Sequence, residues 1–98
     1  MLGGNRMVEE AIELLKQQTG IITKAEDWGE ESVTLGNDEV DPDTIPAGIE
    51  LPPFVLATMY LYMANQQEFV VYFLEDSFTH QSIAKGLLVD GKLIWSAV

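Results

Sequence analysis

The spacing of apolar residues predicts one amphipathic helix near the start of the chain. Apolar residues recur there at i, i+3, i+4 and i+7, and one more widens the stripe: Val8, Ala11, Ile12, Leu14 and Leu15. Asn5 is a suitable N-cap, Lys16 would lie in the last turn, and Gly20 is a typical stop. We therefore expect a helix over residues 6–19.

Short β-branched runs and then a long breaker-rich segment follow this helix. Residues 21–24 and 32–35 are typical of short strands, and residues 28–31 between them are typical of a turn. Residues 36–48 contain proline, glycine, asparagine and aspartate at several points, and these residue types interrupt regular structure. We expect a loop there.

The next segment is compatible with either a helix or a strand. Pro53 suits the first turn of a helix, and the following residues are rich in alanine, leucine, methionine and glutamine. A strand-like alternation is also present, in which Thr58, Tyr60 and Tyr62 alternate with Met59, Leu61 and Met63. Because its length and the paired prolines favour a helix, we expect a second helix near residues 53–66.

The C-terminal third predicts β-structure. Residues 69–74 are rich in β-branched and aromatic types and are apolar on both faces, which indicates a central strand. Asp90-Gly91 separates two apolar runs and predicts a β-hairpin, because both central positions of its turn need positive φ. The expected fold is one α+β domain, residues 1–98, whose helices pack on a mainly antiparallel sheet of four to five strands.

Charge is distributed unevenly along this pattern. From Ala25 to Ala84 the chain has no lysine or arginine, yet it carries twelve of the sixteen acidic residues, and the net charge is −11. Nucleic acids and anionic membranes both need a basic surface, so we expect neither as a partner. A cation or a basic protein would be attracted instead.

Other global features limit the classes of protein that remain. There is no cysteine, which excludes disulfides and thiolate metal sites. The longest apolar stretch, residues 54–64, is well short of the roughly 20 residues that span a bilayer. The first residues lack a basic region followed by an apolar core, so we expect no secretory signal and a cytoplasmic location.

The acidic region 25–50 provides candidate surface residues. They are Glu26, Asp27, Glu30, Glu31, Asp38, Glu39, Asp41 and Asp43. A calcium-loop template places carboxylates at 39, 41, 43 and 50, but Thr44 stands where that template needs glycine, and Pro42 interrupts the frame. We expect no metal site. Rows of carboxylates can also imitate a nucleic acid backbone, although the spacing here is irregular.

Catalytic chemistry has little support in the sequence. His80 is the only histidine, and Ser77, Ser82 and Asp76 are its neighbours in the chain rather than a triad assembled from separate elements. No phosphate-binding glycine loop or paired histidine motif is present. We expect neither an enzyme nor a cofactor.

Four residues of the central apolar segment are candidates for a ligand pocket or subunit interface: Met59, Tyr60, Tyr62 and Met63. Neither a helix nor a strand can turn all four toward one core. Those that face outward suit a subunit contact, or a pocket for an apolar or cationic small molecule. Trp28 and Trp95 could pack in the core, and Trp28 could instead anchor a partner.

The sequence therefore favours a non-enzymatic acidic interaction domain. We expect it to self-associate, as a dimer, through its apolar central and C-terminal segments. Its acidic region would remain in solvent or meet a basic protein. The alternatives are a small-molecule binding module and an inhibitor that imitates nucleic acid to occupy a basic protein.

Overall fold

The computed structural model describes the backbone of residues 3–98 and the side chains from Met7 onward. One α-helix precedes five β-strands, and three 3-10 turns lie in the connections. The helix is α1 (Gly3–Thr19), and the strands are β1 (Gly29–Gly36), β2 (Phe54–Ala64), β3 (Gln67–Asp76), β4 (Ser82–Val89) and β5 (Lys92–Ala97). The 3-10 turns span Ala25–Asp27, Asn37–Glu39 and Pro42–Thr44.

The predicted N-terminal helix is confirmed, and it begins before the expected residue. Helix α1 starts at Gly3, and the side chain of the predicted cap Asn5 lies outside the described residues. Its apolar stripe is buried at Val8, Ala11, Leu14 and Leu15. The helix ends as predicted at Thr19, and the following Gly20 has φ of +82° and donates its amide hydrogen to the Lys16 carbonyl.

The strand predicted at residues 21–24 is absent, and the turn predicted at 28–31 is largely strand. Residues 20–24 form an irregular connection, in which the Lys24 amide donates to the Asp27 carboxylate and the Thr23 hydroxyl accepts from the Trp28 indole. Strand β1 begins at Gly29 and pairs with β2 over its full length. The predicted strand at 32–35 lies within it.

The second helix predicted near residues 53–66 is wrong, because this segment is strand β2. Its backbone pairs with β1 on one side and β3 on the other. Val55 and Ala57 are buried on one face of the sheet, whereas Tyr60 is buried on the opposite face. The segment is therefore apolar throughout, since both of its faces pack against other parts of the chain.

The sheet is an antiparallel meander in the order β1-β2-β3-β4-β5. Strand β3 is central, as the apolar run at 69–74 predicted. The predicted C-terminal hairpin joins β4 to β5 through Asp90 and Gly91, with φ of 51° and 84°. A second tight turn joins β2 to β3 through Asn65 and Gln66, which also have positive φ.

Each face of the sheet has its own cover. Helix α1 packs on one face, where the buried cluster includes Tyr60, Val71 and Leu87. On the other face, Ile45 and Leu51 of the β1–β2 connection pack on a second buried cluster. The connection that the sequence predicted as a loop thus forms a third layer. Within the described range, no helix has the length and apolar character needed to cross a membrane.

Candidate functional site

The four central candidate residues do not form a single surface. Tyr60 is 1% exposed and lies in the cluster beneath α1. Burial, and secondarily the charge of Glu30, raise the pKa of its hydroxyl. Tyr62 packs at the edge of the same cluster, and Met59 packs on the opposite face. Only Met63 extends into solvent, with 65% of its surface exposed.

Trp28 belongs to the core on the helix side of the sheet. Its indole Nε1 donates a hydrogen bond of 2.8 Å to the buried hydroxyl of Thr23. Its ring lies 5.5 Å from the ring of Tyr62, which in turn lies 6.0 Å from that of Phe69. Trp28 is therefore a packing residue that fixes the connection between α1 and β1 rather than a surface anchor.

All eight acidic candidates are exposed, and they follow the course of β1. Glu26 and Asp27 precede the strand, Glu30 and Glu31 lie within it, and the rest follow it in the β1–β2 connection. Since β1 is the first strand of the sheet, no other strand of residues 3–98 pairs with its outer edge. The open backbone edge therefore has two carboxylates near its start, Glu30 and Glu31, and acidic turns before and after it.

Several carboxylates of this region also shape the backbone locally. Asp27 accepts the amide hydrogen of Lys24, Glu39 accepts that of Gly36, and Asp41 accepts that of Asp43. These bonds hold the 3-10 turns in place. In the part of the chain that the structure describes, no three carboxylate or imidazole side chains are grouped to hold a metal ion.

His80 lies in the tight turn between β3 and β4. Its Nδ1 is 2.9 Å from a carboxylate oxygen of Glu75, while Asp76 accepts the amide hydrogens of Phe78 and Thr79. Among the described residues, no hydrogen bond joins His80 to either neighbouring serine. The arrangement is that of a turn in which Asp76 acts as the cap.

A cavity of about 120 Å³ lies between the β1–β2 connection and the sheet. Its floor is apolar and is contributed by β1 to β4. Its roof comes from residues 39–45, of which Glu39 and Asp41 are exposed. The lining residues are Leu35, Glu39, Val40, Asp41, Thr44, Ile45, Ala57, Met59, Val70, Tyr72, Leu74 and Leu88.

Tyr72 in the wall of this cavity has an unusual environment. The residue is 5% exposed, and its hydroxyl is buried without a hydrogen-bond partner among the described residues. Leaving a buried hydroxyl unpaired costs about 1–3 kcal/mol. Burial also raises the pKa of Tyr72 to about 12, so the hydroxyl keeps its proton at neutral pH. The Tyr72 hydroxyl is thus an unsatisfied donor that is closed off from solvent.

Because Gly86 has no side chain, the Tyr72 ring can occupy the space next to it. The two residues are opposite each other on β3 and β4. A Cβ atom on Gly86 would lie 2.6 Å from Cε2, Cζ and the hydroxyl oxygen of Tyr72, which is closer than real atoms approach. The ring therefore covers the glycine, and the absence of a side chain on β4 determines where the hydroxyl is buried.

The other edge of the sheet differs in character from β1. Strand β5 contains no acidic residue. Trp95 pairs with Leu87 and Leu93 pairs with Leu88, so Ile94 is the extra residue of a bulge and is 49% exposed. The C-terminal Val98 is also largely exposed. This edge therefore presents apolar side chains and one cation, Lys92, where β1 is anionic.

The sequence did not predict the cavity or the unpaired hydroxyl of Tyr72. Tyr72 was included only in a predicted strand, and Ile45 only in a predicted loop. No pattern in the sequence predicts that β3 contacts Gly86 or the β1–β2 connection. A glycine inside the strand-like run 82–89 is the one available signal, since glycine in a strand often marks a close approach.

Comparison of the chain with protein-family models, with curated protein sequences and with solved structures gives no match. Function must therefore be inferred from the surfaces and the cavity of the molecule itself.

Proposed function

We propose that this chain is a non-enzymatic interaction domain that binds an extended basic segment of a partner protein along the outer edge of β1. The observation that carries this proposal is the open edge of an eight-residue strand bordered by carboxylates. In such binding, the segment adds a strand to the sheet.

The backbone of β1 supports the addition of a strand. Its pairing with β2 runs from Gly29↔Leu61 to Gly36↔Phe54 without a bulge. The residues of an edge strand alternately direct their amide and carbonyl groups outward, and these groups can bond an incoming chain. A regular strand of this length offers a continuous template.

Charge supports a basic partner over a second copy of the same edge. Two β1 edges paired antiparallel would bring the acidic turn before each strand close to the acidic turns that follow the other. Like charges at such separations repel, and the base-free region supplies no counter-charge. A lysine- or arginine-rich segment would instead be attracted to these carboxylates.

Peptide binding tests this proposal. A labelled peptide of alternating lysine and valine, matched to the length of β1, should bind, and its fluorescence anisotropy should fall as salt is raised. A peptide of equal charge in which proline replaces valine should bind much more weakly, because proline lacks the amide hydrogen. Equal binding of both peptides would show plain electrostatic adsorption and would contradict strand addition.

A pair of charge-matched variants locates the binding edge. Changing both Glu30 and Glu31 to glutamine should lower the affinity for the lysine–valine peptide roughly fivefold, since exposed ion pairs each contribute modestly. Neutralising Glu9 and Glu68, which are exposed on α1 and β3, removes the same charge elsewhere. Equal losses in the two variants would argue against the β1 edge.

Self-association through β5 is a second candidate, favoured by the apolar, acid-free character of that edge. Pairing of β5 with its copy about a twofold axis would continue the sheet into a partner and cover Ile94. The carboxylates near β1 would then lie on the far side of each subunit, at the opposite end of the strand order.

Sedimentation velocity tests the dimer. We expect the unmodified protein to dimerise at micromolar concentration and Ile94→Lys to shift it to monomer, because a charge would have to be desolvated at the contact. Ile22→Lys is the matched control, since Ile22 is exposed in the connection after α1. A monomeric parent protein at high micromolar concentration would reject this candidate.

A further inference from the structure

We infer that the partner segment of β1 carries adjacent basic residues opposite the start of the strand and apolar residues at alternate positions opposite its second half. This assignment rests on the proposed function, and it adds which side chains the segment needs and in what order. The two faces of β1 differ in composition, and that difference determines the pattern.

The face of β1 on the side of helix α1 is polar. Glu30 pairs with Tyr60, which is buried beneath α1, so Glu30 lies on that side of the sheet. Ser32 and Thr34 share this face, because side chains alternate along a strand. The Ser32 hydroxyl donates to the hydroxyl of Thr58, 3.4 Å away on β2. This exposed face therefore offers an incoming strand one carboxylate and two hydroxyls.

The opposite face of β1 is acidic at its start and apolar beyond. Val33 and Leu35 pair with Ala57 and Val55, which are buried on the side of the β1–β2 connection. Glu31 lies on the same face, two residues before Val33. Val33 is 38% exposed, and within residues 3–98 no further strand lies beside it. An apolar side chain of an added strand would remove this surface from water.

These two faces determine what the partner must supply. Residues directly opposite each other on paired strands lie about 5 Å apart on one face, so a base opposite Glu30 or Glu31 forms a cross-strand ion pair. Apolar residues are needed only opposite Val33 and Leu35. A segment of lysine alone matches the edge less well, because it would place charges against this apolar surface without a counter-charge.

The direction of the partner follows from the rest of the sheet. Every strand pair in the sheet is antiparallel, and antiparallel pairing is slightly more stable per residue than parallel pairing. An antiparallel segment meets Leu35 first and Glu30 last. Its order from the N-terminus is therefore apolar, polar, apolar, polar, basic, basic.

Two capped, labelled peptides of equal composition test the pattern: Val-Thr-Val-Thr-Lys-Lys and Val-Val-Thr-Thr-Lys-Lys. The first can place both valines on the apolar face of β1, whereas the second can place only one there in any register. We expect the first to bind the full chain about fivefold more tightly, as measured by fluorescence anisotropy.

The outcomes separate this pattern from the proposed function. Equal affinities of the two peptides, with binding of the alternating lysine–valine peptide retained, would overturn the pattern and leave strand addition standing. Failure of all three peptides to bind would reject both. The reversed peptide Lys-Lys-Thr-Val-Thr-Val fits the pattern only by parallel addition, so tighter binding of this peptide would contradict the antiparallel order.

Two variants assign the preference to the apolar face. Val33→Thr should bring the affinity ratio of the first two peptides close to one, because threonine keeps the β-branched shape but removes the apolar contact of the second valine. Thr34→Ser, on the opposite face, is the matched control and should leave the ratio unchanged. Both positions are exposed, and circular dichroism would verify that both variants fold. A ratio that persists in Val33→Thr would reject the pattern.

Discussion

Replacing Gly86 with alanine is expected to destabilise the fold by roughly 1–3 kcal/mol, because the added methyl group would displace the Tyr72 ring from its place over the glycine. The new Cβ would lie 2.6 Å from three atoms of Tyr72. The end of a tyrosine side chain can move aside when it is exposed, but Tyr72 is buried between the sheet and the β1–β2 connection. Urea unfolding followed by circular dichroism would measure the loss.

Gly29→Ala is a matched control for this substitution. Gly29 also lies in a strand, but the nearest atom to its added Cβ is the Leu61 carbonyl oxygen at 4.0 Å. Removing glycine from a strand there should be neutral or stabilise by about 0.5–1 kcal/mol. A second change, Tyr72→Leu, should recover part of the loss in Gly86→Ala. If the two glycine variants have equal stability, the close approach does not constrain the fold.

Truncating Trp28 to alanine is expected to have the largest effect, a loss of about 3–5 kcal/mol in the free energy of unfolding. The change removes a buried ring from the aromatic series that continues through Tyr62 and Phe69. It also leaves the buried Thr23 hydroxyl without its bond to the indole. Unfolding should be followed by circular dichroism rather than by tryptophan fluorescence, since the change removes one of the two tryptophans.

The hydrogen bond can be tested apart from the packing. Thr23→Val keeps the shape but leaves the indole nitrogen of Trp28 without an acceptor, which should cost about 1–3 kcal/mol. Thr34→Val makes the same change at an exposed position of β1 and should stay within about 0.5 kcal/mol of the parent protein. A Thr23→Val protein as stable as Thr34→Val would mean that the indole finds another partner.

The features that the sequence predicted correctly depend on local signals. The stripe around Leu15 and the stop at Gly20 define α1, and Asp90-Gly91 defines the last hairpin, because spacing and backbone preference decide these elements within a few residues. The turn at Asn65-Gln66 has no such signal. Glutamine rarely has positive φ, and the two strands that the turn joins impose it.

Strand β2 shows where local preference fails. Its alanine, leucine and methionine residues favour a helix, but each of its backbone edges pairs with another strand. Because both faces of β2 are covered, its alternating residues differ little in polarity, and the strand-like alternation did not outweigh the helix signals. Pro53 suggested the first turn of a helix, and it instead ends the connection before β2. Tertiary pairing outweighed the propensity of the segment.

The candidate site was the least predictable part. The eight acidic candidates are exposed, but their grouping around β1 follows from the position of that strand at the edge of the sheet. The cavity requires that Ile45 fold back over β3, and the placement of the Tyr72 ring requires that Gly86 face it. These contacts join residues far apart in the chain, and only the folded sheet defines them.

The meander also determines how the entropy of chain closure is distributed. Strands β2 to β5 are joined by connections of a few residues at 65–66, 77–81 and 90–91, whereas residues 37–53 must close before β1 can pair. Closure entropy rises with loop length, and local pairings form faster than distant ones. Assembly should therefore proceed from the four C-terminal strands, with β1 added late, so that changes in β1 alter the unfolding rate more than the folding rate.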